Sequence, residues 1–346
     1  MITKFFHRWE QRLADVSRVE RLVRPFDWGL DWLPQNGAAP HAVPLDAVRA
    51  WVNAVMQDTD AFFTPAPTAD YTFVPASREA VTKGKAGTLR FPSALETPHP
   101  ENNVVHARFF PARDKRRAVV VMPQWNSDAG GHIGLSQLLA RLGITALRLS
   151  KPYHDVRMPP ELSRADYIVS ANVVRTVQVC RQAVLDARRA LWWLRDQGYE
   201  RLGLLGTSLG SCLAMLTTAH EPLVRAQALN HVSPFFADVV WRGVSTAHVR
   251  EGLDGQVDLE TLRELWRPIS PWSYLERTRG KKTLLVYAKY DLTFPVDLSL
   301  QLIHEFERRG VPTDVAVLPC GHYSTGEAPF KFLDAYYLAR FLRRNL

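Results

Sequence analysis

A serine set between glycines, in Gly206-Thr207-Ser208-Leu209-Gly210, is the first feature with chemical potential. A hydroxyl in a G-x-S-x-G pattern can attack a carbonyl carbon when the turn lifts it clear of the backbone. The run before it, RLGLL, is apolar and strand-like, and the run after it, SCLAMLTTA, reads as a helix. A tight strand–turn–helix join needs small residues, so Gly206 and Gly210 let strand and helix approach while Ser208 projects above the sheet. The helix N-terminus also favours negative charge developing beside the serine. The pattern is short, and a serine N-cap in a glycine-bearing turn is the plain alternative.

A serine at its free pKa is a poor nucleophile and needs a base. Of eleven histidines, His322 is the best placed: it sits in LPCGHYSTG, directly after the apolar strand DVAVL. An acid to orient it belongs between the two in sequence. Asp291, in KYDLTFP after the strand TLLVYAK, fits, with Asp297 as a reserve inside the next helix. A turn-forming aspartate is the alternative for Asp291. The order Ser208, Asp291, His322 is the one expected for this kind of elbow. The constellation would carry acyl transfer: attack by Ser208, proton uptake by His322, imidazolium stabilised by Asp291.

The elements that must position these residues follow from periodicity. Short β-rich runs fall at 88–91, 104–110, 118–122 and 144–149. Further strands fall at 202–205, 226–230, 283–288 and 314–318. Helical stretches at 132–142, 171–196, 209–218, 298–309 and 331–343 alternate with them. That alternation predicts a mixed, mostly parallel sheet covered by helices on both faces, with ligands beyond the carboxyl ends of its strands. Residues 234–275 are too long for a plain connection and read as a small cap insertion. Residues 1–86 read as an N-terminal helical extension and a linker, with FFTPAPTADYTFVPAS too rich in proline for a helix or central strand.

The extension opens with helical spacing at Phe5, Trp9, Leu13, Val16, Val19 and Val23. Six basic residues (Lys4, Arg8, Arg12, Arg18, Arg21, Arg24) outnumber Glu10, Asp15 and Glu20. Interleaved acids favour packing on the catalytic domain or on a second subunit of a homo-oligomer. Peripheral contact with an anionic membrane is the alternative.

Residues 87–346 resemble the α/β-hydrolase superfamily, through GTSLG around Ser208, YDLTFP around Asp291 and CGHYS around His322. Within it they look most like bacterial carboxylesterases of the dienelactone-hydrolase and acetyl-xylan-esterase type. The resemblance implies the α/β-hydrolase fold, a Ser208–His322–Asp291 triad and an oxyanion hole, with the first N–H from Leu209. Many members carry a His-Gly pair after the third strand. Here AVVVM is followed by Pro123-Gln124-Trp125-Asn126, which leaves the second donor open between Trp125, favoured by position, and Gln124. The chain through about residue 60 has no counterpart in the shared fold.

Aromatic residues in the loops and cap (Trp125, Tyr153, Phe235, Phe236, Trp241) are candidates to line an apolar acyl pocket, with core packing the alternative. Asn126, His154 and Arg157 are candidates for polar substrate contacts. Cys212, one turn after Ser208, and Cys320, near His322, read as small core residues. His132 reads as the opening of a helix, since no second ligand sits at i+4. No metal and no cofactor are expected.

The composition bounds the rest. The chain has 346 residues, 46% hydrophobic and 23% charged, which is ordinary for a globular protein. Three dispersed cysteines give no disulfide framework or zinc set. The net charge of +8 comes without a basic run interleaved with aromatics, so no nucleic-acid role is expected. No segment reaches the ~18 apolar residues of a membrane span, and the N-terminus lacks the apolar core of a signal peptide, so the expected compartment is the cytoplasm, with the inner-membrane surface as the alternative. A serine at the elbow argues against dehalogenase or epoxide hydrolase chemistry. The expectation is a serine esterase acting on a small-molecule ester or lipid. The alternatives are a membrane-associated lipid or thioester acyl hydrolase or acyltransferase, and a catalytically silent scaffold.

Overall fold

The computed structural model describes residues 2–17, 20–34, 43–83 and 85–346. Arg18 and Val19 of the N-terminal pattern, and 35–42 of the proline-rich loop, lie outside the described residues. Among the described residues, nine strands form one sheet: β1 Thr72–Val74, β2 Gly87–Pro92, β3 Val104–Phe110, β4 Arg117–Met122, β5 Thr145–Leu149, β6 Arg201–Thr207, β7 Val224–Asn230, β8 Lys282–Ala288 and β9 Thr313–Leu318. Their spatial order is β1-β2-β3-β5-β4-β6-β7-β8-β9. The β1, β2, β3 and β5 neighbours pair antiparallel, and every pair from β5 through β9 is parallel.

Residues of β4 show why the sheet is buried on both faces. Ala118, Val120 and Met122 point into one apolar core and Val119 and Val121 into the other, the period-two alternation of a pleated strand. Helices must therefore cover both sides. The helix Val173–Asp196 packs into the first core with Leu209–His220, and Phe330–Asn345 closes the second.

Two departures concern the N-terminal segment. The stretch expected as a linker contains β1, an edge strand flanked by Pro67 and Pro75, and edges tolerate proline neighbours. The helix Pro44–Gln57 also buries Val48, Val52 and Val55 in the same core as the sheet. The helix Ile2–Val16 buries Phe6, Glu10 and Ala14, one residue out of step with the expected apolar face. Phe5 and Val16 stay 62% and 73% exposed. Phe6 instead stacks on Tyr290, ring centroids 4.5 Å apart, at the outer end of the loop that carries Asp291.

Between β7 and β8 the 234–275 segment folds into the helices Phe236–Arg242, Ala247–Leu253 and Leu259–Leu265. Among the described residues, no helix is long and apolar enough to cross a membrane.

Candidate active site

Five neighbouring strands, β4, β6, β7, β8 and β9, end at one rim of the sheet, and the chain just beyond each end supplies a part of the site. After β6, Ser208 adopts φ 57°, ψ −122°, a conformation rarely open to a residue with a side chain. The turn is held by the Ser208 N–H donating to Asn230 O at 2.8 Å, and by Ser211 Oγ, 2.6 Å from Ser208 O. The glycines on either side are required sterically. A Cβ on Gly206 would meet Gly210 O at 2.2 Å, and one on Gly210 would meet Met122 O at 2.0 Å.

After β9, His322 brings Nε2 to 3.1 Å from Ser208 Oγ. After β8, Asp291 accepts the N–H groups of Thr293 and Phe294 on Oδ1, at 2.8 and 2.7 Å, so the carboxylate is fixed by its own loop. Its Oδ2 lies 3.0 Å from His322 Nδ1. Phe294 stacks flat on the His322 ring. The Tyr290 N–H donates to Cys320 O at 2.9 Å, sewing the two loops together. Asp297 pairs with Arg242 on the surface and takes no part.

A fourth residue, His231 after β7, was not foreseen from sequence. Its Nδ1 also lies 3.0 Å from Asp291 Oδ2, and its backbone has φ 56°. Among the described residues, His231, Asp291 and His322 group their ligand atoms within 4.8 Å. Both imidazoles direct Nδ1 at one oxygen at hydrogen-bond length, so the arrangement is that of two donors on one acceptor.

The electrostatics agree with that pattern. Burial opposes ionisation of Asp291, but His322 and the two imidazole hydrogen bonds outweigh it and hold the carboxyl well below the usual range. Burial works against a charged His322, yet Asp291 raises its pKa above the ordinary value. Burial and the neighbouring His322 both lower that of His231, which favours its neutral form. Cys212 and Cys320 are pushed by burial to about 11 and about 12, consistent with inert core thiols.

After β4, Gln124 to Ser127 form a turn closed by the Ser127 N–H on Gln124 O at 3.2 Å. His154 shapes it from behind: its Nε2 accepts the Asn126 N–H at 3.1 Å while Nδ1 donates to Pro152 O at 2.8 Å. Buried Lys151 donates to Gln124 O at 3.0 Å. Asn126 Oδ1 is occupied by the Ala165 N–H. Of the turn's central N–H groups, that of Asn126 is thus engaged, leaving Trp125 the better placed donor beside Leu209, whose N–H opens a helix and has no intrahelical acceptor. Gln124, Trp125, Asn126, Ser208, Leu209 and His322 all line one cavity of about 960 Å³.

Phe236 lines this cavity together with Val239 and Val240. Trp241, on the other side of the same short helix, packs under the Arg250 guanidinium, and Phe235 turns outward onto Trp272. Tyr153 is fully buried with its hydroxyl 3.0 Å from His99 Nδ1. Arg157 is buried in a 2.9 Å ion pair with Asp186. Phe235, Trp241, Tyr153, His154 and Arg157, expected as substrate contacts, therefore do not line the cavity. His132 opens the helix Ile133–Arg141 as expected, 2.9 Å from Thr207 Oγ1, with burial lowering its pKa to about 3.

The N-terminal helix reaches the site through Glu10. Its carboxylate is fully buried and accepts the N–H groups of Tyr323 (2.8 Å) and Ser324 (2.9 Å), and the Ser324 hydroxyl at 2.5 Å. These are the residues that follow His322. A lone acid spaced i, i+4 between Phe6 and Ala14 was the signal for this role in the sequence.

No family model and no curated protein sequence matches this chain. Solved structures do. Acylaminoacyl peptidase from Pyrococcus horikoshii superposes with a TM-score of 0.61 at 15% identity, over 75% of this chain and 41% of the peptidase. This chain therefore matches about two fifths of that protein's length. Acetyl xylan esterase from Paenibacillus sp. R4 superposes with a TM-score of 0.60 at 13% identity, over 91% of this chain and 98% of the esterase. Acetyl xylan esterase 1 from Thermoanaerobacterium sp. JW/SL YS485 gives 0.57 at 14% identity, over 91% and 99%. The chain has the α/β-hydrolase fold. In an α/β-hydrolase sheet the expected ligand position is the crevice beyond the strand carboxyl ends, where Ser208 and His322 lie here. At these identities the likeness extends to architecture, and the chemistry must be argued from the side chains.

Proposed function

We propose that the protein is a serine hydrolase that cleaves carboxylic esters through an acyl-enzyme. The observation that carries this is the pair of distances at His322: 3.1 Å from Nε2 to Ser208 Oγ and 3.0 Å from Nδ1 to Asp291 Oδ2. Ser208 Oγ attacks the acyl carbonyl carbon, and His322 Nε2 takes its proton. Asp291 keeps the imidazole proton on Nδ1 and stabilises the imidazolium. The Leu209 and Trp125 N–H groups receive the oxyanion, a contribution of about 3 kcal/mol per donor. His322 then protonates the departing alcohol, and water, activated by the same imidazole, releases the acid and frees Ser208. No step calls for a metal or cofactor.

The test is labelling by a fluorophosphonate together with turnover of p-nitrophenyl esters of increasing chain length. Ser208→Ala should lose both, with kcat down by roughly 10⁴-fold or more. Unchanged turnover by that variant overturns the proposal.

A second reading, acyl hydrolysis at a membrane surface, rests on the outward face of the first helix. Ile2 and Phe5, each 62% exposed, lie there beside Lys4 and Arg8. Anionic vesicles should then accelerate long-chain but not short-chain esters.

A further inference from the structure

The active-site cavity carries more positive than negative charge, and the imbalance has an address. Arg21, Arg164 and Lys331 all line it. Asp334 is its sole lining carboxyl among the described residues. Burial raises the Asp334 pKa to about 7, so near neutrality much of it is uncharged.

The two arginines are incompletely satisfied. Arg21 belongs to the N-terminal segment. One terminal nitrogen donates to Val244 O at 3.1 Å, and the other to Ser17 Oγ and to the Tyr323 hydroxyl at 2.6 and 2.8 Å. Its Nε is buried without a hydrogen-bond partner. Arg164 lies across the Trp125 ring, 5.6 Å from the ring centre. Its Nε is also buried and unpartnered. The acid beside it, Asp166, faces that Nε with Oδ1 at 3.7 Å, an ion pair too long for a hydrogen bond, and shares its charge with Arg24, 3.0 Å from its Oδ2. Glu20 adds a weaker attraction, while Arg21 itself repels Arg164. Two like charges line one cavity and repel each other, a cost in free energy that an anion between them would offset. Each arginine also touches the catalytic frame: Arg21 through Tyr323, next to His322, and Arg164 through Trp125.

We infer that Arg21 and Arg164 form an anion subsite of this cavity, so that the substrate is an ester bearing a carboxylate or phosphate group close to its scissile carbonyl. This rests on the esterase reading for the word substrate, but the subsite itself can be measured without turnover. The guanidinium fork suits either oxyanion. Because Arg21 comes from the N-terminal segment, that segment helps select the substrate as well as bracing the His322 loop.

The experiment is calorimetric binding of hexyl phosphate, hexanoate and hexanol to the full chain, its Arg164→Gln variant and its Arg21→Gln variant. At least one of the two anions should bind tenfold or more tightly than hexanol, and the stronger one identifies the favoured oxyanion. Arg164→Gln should bring the preference within threefold of unity with an unchanged melting temperature. Arg21→Gln provides the second reading should Arg164→Gln fold poorly. Equal binding of hexanol, or an anion preference that survives both substitutions, overturns the subsite. Fluorophosphonate labelling of Ser208 is followed in parallel. No anion preference in the unsubstituted chain, with its labelling intact, sinks the subsite alone, and absence of labelling with the preference present sinks the esterase reading alone.

Discussion

His231 and His322 share one acceptor: each directs Nδ1 at Oδ2 of Asp291, at 3.0 Å. The carboxylate therefore has all its strong interactions inside the protein, with the Thr293 and Phe294 N–H groups on its other oxygen. We read His231 as a positioning residue that keeps Asp291 ionised and aimed. A hydrogen bond to a charged group contributes ~1.5–3 kcal/mol. His231→Ala should accordingly lower kcat by about 10- to 100-fold with little change in KM. Steady-state kinetics checks this, and His231→Asn, which can still donate, should recover part of the loss.

The pH profile follows from His322. The imidazole accepts the Ser208 proton only when neutral, and its pKa lies above 6.5. Activity should be low at pH 5 and rise with pH through a midpoint above 6.5, while Asp291 stays ionised throughout. The measurement is kcat/KM for a neutral ester between pH 5 and 9. A midpoint below 6.5 would contradict the His322–Asp291 coupling.

Glu10 ties the first helix to the catalytic loop. Glu10→Ala leaves the Tyr323 and Ser324 N–H groups buried without an acceptor, a cost of about 1–3 kcal/mol per lost partner. Denaturant unfolding should show that loss. At temperatures where the variant is fully folded, kcat should still fall, because His322 precedes those two residues directly. Unaltered kcat would restrict Glu10 to a purely structural role.

Asp334 should give stability a pH slope of its own. Its folded pKa of about 7 lies above its ordinary 3.8, so between those values the folded state binds more protons than the unfolded one. Its contribution is therefore fully present below 3.8 and lost as pH rises through 7. Asp334→Asn, which can still accept from Asn230 Nδ2, should melt higher than the parent at pH 8 and by a smaller margin at pH 5. Thermal unfolding at the two pH values decides it.

Gly206, Ser208 and Gly210 were legible because a strand–turn–helix join has local steric rules, and those rules are written in consecutive residues. Asp291 and His322 were legible because each follows a short apolar, β-branched run that reads as a strand. The strand-by-strand alternation behind the fold was legible for the same reason. β1 was hidden, since three residues between prolines carry too little pattern to register.

The sequence by itself determined which side chains could react and in what order they occur, because short-range backbone sterics and hydrophobic periodicity are properties of neighbouring residues. Only the tertiary structure decided the company they keep. Burial of Glu10 against residues 323 and 324, the second imidazole on Asp291, His154 behind the Asn126 turn, and the turning of Phe236 inward but Trp241 outward all depend on contacts between distant segments. Such contacts leave no period in the chain, since they arise from how nine strands are ordered and how helices settle on them.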